Sequence, residues 1–74
     1  MLAPLNSRFG DAVRNLRQER GISQEELGHR SGLHRNHVGE IERGEISPTL
    51  DSAQLIAKAL AIRLSELIAL AEHT

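Results

Sequence analysis

The sequence predicts an all-α fold, a compact five-helix bundle, and three observations carry that prediction. No stretch alternates apolar and polar residues with period two over four or more positions, so strand signals are missing. Apolar residues instead recur at helical spacing in five successive segments, each bounded by a glycine or a capping residue. Finally, the chain holds one aromatic residue, Phe9, and no cysteine, so its core must be aliphatic and helix-packed without disulfide support. At 74 residues it reads as a single domain over 1–74, with no room for a second.

The elements follow in order. The first helix is predicted from Leu5 to Arg20, with Phe9, Ala12, Val13 and Leu16 at i, i+3, i+4, i+7 as its apolar stripe and Gly21 as a left-handed stop. The second opens at Ser23-Gln24-Glu25-Glu26, an S-x-x-E capping box in which hydroxyl and carboxylate serve each other's orphan amides, and ends near Arg30 before Ser31-Gly32. The third spans Arg35 to Arg43, buries Val38 and Ile41 with Leu33 ahead of them, and stops at Gly44. After Ser47-Pro48-Thr49 the fourth covers Leu50 to Ala61 with Ala53, Ile56, Ala57 and Leu60 inward. The fifth begins after Ser65 as cap and turns Leu64, Leu67, Ile68 and Ala71 to the core.

Composition excludes several functions. The longest apolar run, Leu67-Ile68-Ala69-Leu70-Ala71, is five residues, against the ~18–20 that a membrane span needs, and Met1–Phe9 lacks a signal-peptide core, so a soluble cytoplasmic protein is expected. With a lone phenylalanine, stacking of unpaired bases on exposed rings has no material to work with. The net charge of −1 conceals a mild asymmetry: residues 1–43 carry seven Arg against six acids, whereas residues 44–74 carry two basic residues against four acids. Eight of the nine basic residues are Arg, the side chain whose planar fork suits phosphates and guanine edges.

The second helix, a short turn containing Gly32 and the third helix together have the spacing of a helix-turn-helix. The surrounding residues narrow the reading. Leu16-Arg17-x-x-Arg20-Gly21-Ile22-Ser23-Gln24-Glu25-Glu26-Leu27 is followed by Ser31-Gly32-Leu33, then Val38-x-x-Ile41-Glu42-Arg43-Gly44, then Pro48-Thr49-Leu50 and Ile56-Ala57-Lys58-Ala59-Leu60. In this order and spacing, over residues 8–70, the chain resembles the phage-repressor/Cro-type (XRE) helix-turn-helix family, whose short members include Cro-like repressors and restriction–modification controller proteins.

That resemblance implies a transcriptional regulator that binds a double-stranded DNA operator as a homodimer, with its third helix in the major groove. Gln24 falls where the family meets a phosphate at a helix N-terminus. Gly28 replaces the family's usual Ala at the closest approach of the second and third helices, and Arg17 and Glu42 fall where relatives pair the first helix with the third. Arg35 and Asn36, in the first turn of the recognition helix, are the leading base readers, because Arg presents a bidentate fork to guanine and Asn pairs with adenine. One turn on, Glu40 either accepts from cytosine or orients Arg43 or Arg35. Arg43, Ser47, His34 and His37 are assigned to phosphates.

His34 departs from the Ser, Thr or Asp the family prefers as cap. The start of the recognition helix is therefore expected to fray or shift, which leaves open whether Arg35 or Asn36 reads first. His29, His34 and His37 lack the third or fourth ligand and the carboxylate or thiolate that a metal site requires, so no metal or other cofactor is expected. The only Ser/His/acid groupings sit on exposed short helices, with no Gly-rich phosphate loop and no pocket-forming bulk, so an enzyme is not expected either. Nor does the sequence offer a small-molecule effector site. A rival reading from another class is an antitoxin or adaptor that mainly binds a protein partner. For assembly, Leu55 and Leu70 lie outside the predicted stripes and are assigned to dimerisation.

Overall fold

A computed structural model describes residues 3–73 of the chain; Met1 and Leu2, part of the stretch read for a signal core, and Thr74 lie outside the described residues. Five helices run in order: α1 (Leu5–Glu19), α2 (Gln24–Ser31), α3 (Arg35–Glu42), α4 (Leu50–Ala59) and α5 (Leu64–Glu72). No strand occurs among the described residues. The predicted stripes converge on one aliphatic core in which Val13, Leu27, Val38, Ile41, Ile56, Leu60 and Leu67 are fully buried around Phe9. Each such side chain stabilises the fold by about 1.5–3 kcal/mol through lost apolar contact with water. Helix α1 packs on α5 and α3, and α2 packs on α3 and α4, so α3 is braced from two sides while its outer face stays open.

Helix ends depart from the sequence reading where local hydrogen bonds decide them. Arg20 and Arg43 are caps just outside α1 and α3, and α2 continues through Ser31 because Gly32, at φ 80°, supplies the left-handed cap one residue later. The largest correction is at α4, which ends at Ala59 instead of Ala61. Ala61 itself takes φ 58°, and the Ile62 amide bonds back to the Ala57 carbonyl at 3.0 Å, closing the helix early and drawing Ile62 toward the core. This in turn starts α5 at Leu64, capped by Arg63, whose backbone N–H donates to Glu66 Oε1 at 3.2 Å; Ser65 lies inside the first turn and is not the cap.

Two further caps behave differently from expectation. Ser23 Oγ accepts from the Glu26 amide at 3.0 Å, but the reciprocal half of the box is missing because Arg30 Nε, one turn on, donates to the Glu26 carboxylate at 3.1 Å. At α3 the expected fraying does not occur. His34 Nδ1 accepts from the Asn36 amide at 3.0 Å, so the imidazole does the work of a capping hydroxyl or carboxylate, and α3 starts at Arg35.

Candidate nucleic-acid interface

One carboxylate fixes the position of α3. Glu42, at its C-terminus, is 1% exposed, and a charge so buried is tolerable only when fully bonded. Arg17 from α1 donates Nε to Glu42 Oε2 at 2.6 Å and Nη2 to Oε1 at 3.1 Å, and Gln24 from α2 donates Nε2 to Oε1 at 3.0 Å. Arg17 also reaches the Ile22 carbonyl with Nη1 at 3.0 Å, between α1 and α2. Three helices therefore meet at Glu42, and Gln24, assigned from sequence to a phosphate, uses one of its two amide hydrogens internally.

Two glycines permit this closeness. A Cβ on Gly10 would collide with the Ile41 carbonyl oxygen and lie 2.6 Å from that of Glu42, so α1 crosses α3 backbone to backbone. Sequence reasoning passed over Gly10, although a glycine inside a strong helical pattern is itself a signal of close approach. A Cβ on Gly28 would lie 2.6 Å from the Leu33 carbonyl oxygen and 3.2 Å from the Arg35 amide nitrogen. The approach expected there is thus made to the turn and the first residue of α3.

With Val38, Ile41 and Glu42 facing inward, the outer side of α3 forms a shallow polar groove of about 450 Å³ lined by Gln24, Arg35, Asn36, Gly39, Glu40, Arg43 and Glu45. Five of the residues singled out from sequence are brought together here. Arg35 Nη1 donates to Glu25 Oε2 at 2.7 Å, across from α3 to α2. Arg43 donates Nε and Nη2 to the two Glu45 oxygens at 2.9 and 3.2 Å. That hydrogen-bonded pairing holds the Glu45 carboxyl below the usual carboxylate range and raises Arg43 above the usual guanidinium value. Both arginines hydrogen-bond acids other than Glu40, and Glu40 acts on Arg43 through its nearby charge.

The remaining assigned residues lie elsewhere. His34 is exposed at the cap and His37 half-buried, neither lining the groove. Ser47 lines a separate apolar groove of about 320 Å³ with Leu5, Phe9, Leu50 and Ile68. Leu55 and Leu70 are exposed, but Leu70 borders a third concavity with Ala12, Leu16 and His73, and Leu55 lines none of the three. Among the described residues no group of three or more His, Asp or Glu could hold a metal ion, and no helix is long and apolar enough to cross a membrane.

Comparison with known proteins bears on this geometry. The HTH_3 helix-turn-helix family model matches residues 13–67. The chain is 41% identical over 60 residues to the control protein C.SmaI of Serratia marcescens, covering 81% of this chain and 71% of that protein. It is 38% identical over 61 residues to the control protein C.BamHI of Bacillus amyloliquefaciens, covering 81% and 75%. Among solved structures, the restriction-modification controller protein C.AhdI from Aeromonas hydrophila superposes with a TM-score of 0.82 at 42% identity, over 84% of this chain and 94% of that one.

Proposed function

Because the chain belongs to the HTH_3 (XRE-type) helix-turn-helix family, we propose that it is a transcriptional regulator that acts by occupying a short, approximately palindromic double-stranded DNA operator as a homodimer. The observation that carries the reading is α3 itself: an inner face locked by Val38, Ile41 and the Glu42 cluster, and an outer face offering Arg35 and Asn36. Placed in the major groove, Arg35 addresses guanine O6/N7 and Asn36 adenine N6/N7, and the half-sites of the two subunits lie about 34 Å apart. The second amide hydrogen of Gln24 and the free N–H groups at the start of α2 suit a phosphate there. Arg43, His34, His37 and Ser47 serve the backbone in the same reading, and Glu40 accepts from a cytosine. The control-protein names of the relatives support a regulatory role, and no cofactor, catalytic step or small-molecule effector is invoked.

The test is selection of bound sites from random duplexes, followed by mobility shift at ~150 mM salt on the selected site, on the DNA upstream of the protein's own gene and on single-base variants. Arg35→Ala should cost about 1–3 kcal/mol on the operator and relax the preference at one base pair per half-site. An equal loss on every sequence would make Arg35 a phosphate contact and remove it as a reader.

A further inference from the structure

The two arginines of the groove are bonded differently, and the difference has a consequence for recognition. Arg43 has both Nε and Nη2 engaged by Glu45, so the edge of its guanidinium that makes two parallel bonds is closed. Arg35, which lines the same groove, is held by Glu25 through Nη1, and among the described residues its Nε and Nη2 make no hydrogen bond. A guanidinium gripped at one nitrogen and open along the opposite edge is arranged to meet guanine O6 and N7 with two parallel donors. We infer that Glu25, on α2, is a positioning residue for base recognition: it holds Arg35 in its reading orientation and stays bonded to it in the operator complex. This inference rests on the proposed placement of α3 in the major groove.

The energetics give Glu25 a selective effect. In the free protein the pair is open to water, 62% and 73% exposed, and such pairs contribute little to folding. In a water-excluded groove the same pair strengthens, and the orientation of a long, rotamer-rich side chain is already set before binding. Nonspecific DNA offers the pre-set fork no O6/N7 pair to meet, so the orientation set by Glu25 contributes on the operator and not on unrelated sequence. A pair broken equally in both complexes would add no selectivity.

The experiment compares Glu25→Gln, Arg35→Ala and the double variant of the full chain on the selected operator duplex and on an unrelated duplex of equal length at ~150 mM salt. Glu25→Gln should weaken operator binding about two- to tenfold, leave binding to the unrelated duplex equal or tighter, and relax the preference at the base pair Arg35 reads. In the Arg35→Ala background the operator loss from Glu25→Gln should vanish, because nothing remains to orient. The melting temperature should stay within about 3 °C of the parent, separating positioning from folding. Equal tightening of both duplexes by Glu25→Gln would make the carboxylate a mere repulsive charge and overturn the inference while leaving the reading of α3 intact. If Arg35→Ala weakens all duplexes alike, that reading fails at Arg35 and the inference fails with it.

Discussion

Glu42 shows at the scale of one residue how a buried charge can be tolerated. Its two oxygens accept three hydrogen bonds from α1 and α2, and no buried side-chain polar atom among the described residues lacks a partner. Removing either Arg17 or Glu42 strands the other charge, so each single truncation should destabilise by more than the net value of the pair. A double-mutant cycle with Arg17→Met and Glu42→Ala, read by urea unfolding, should give a coupling of about 1–3 kcal/mol. Additivity within about 0.3–0.5 kcal/mol would show that the two side chains do not act as a unit. Gln24 extends the argument. Gln24→Ala leaves Arg17 in place but deprives Oε1 of one donor, and should destabilise by about 1–2 kcal/mol.

Helix ends set the scale at which sequence and structure part. The stripes of α1, α3 and α4 were legible because burial of several apolar residues outweighs any single local bond. The glycine breaks at Gly21, Gly32 and Gly44 were legible too, but the break between α4 and α5 was not, because neighbouring caps differ by tenths of a kcal/mol: Ser65 and Glu66 compete for the start of α5, and the closure through Ile62 places Ala61 in a conformation that composition would assign to glycine. The same near-degeneracy hid the pairing of Glu26 with Arg30, whereas the meeting of Arg35, Asn36, Glu40, Arg43 and Gln24 in one groove follows from the order of α2 and α3 alone. Ala61 offers a direct check. A left-handed non-glycine residue costs roughly 1–2 kcal/mol, and glycine returns about half of that as added unfolded-state entropy. Ala61→Gly should therefore stabilise by about 0.5 kcal/mol and raise the melting temperature by a few degrees, while Ala61→Val should lower it.

For the whole molecule, the proposed homodimer needs a face on which two copies meet. Leu50 is 79% exposed, more than Leu5, Leu55 or Leu70, and it stands at the mouth of the apolar groove that Leu5, Phe9 and Ile68 also line. A two-fold contact uses the same patch on both subunits, so each Leu50 can enter its partner's groove. This face is an alternative to the Leu55 and Leu70 assignment. Leu50→Glu should shift the protein to monomer in sedimentation equilibrium at micromolar concentration with helicity unchanged by circular dichroism, and its operator binding should weaken and become steeply concentration-dependent. A Leu50→Glu protein that stays dimeric, beside a Leu70→Glu protein that does not, would return the interface to α5.

The eight residues of α3 make a rod only about 12 Å long, with half its positions turned inward. With Arg35, Asn36 and Glu40 as readers, each subunit specifies about three base pairs, or roughly 6 bits of information, and a dimer about 12 bits; a pattern carrying that little information turns up by chance about once in every 4,000 base pairs of random sequence. An operator recognised by so short a helix must therefore carry the rest of its message in untouched bases: in the fixed interval between half-sites and in how readily the DNA between them twists or narrows to let both rods seat at once.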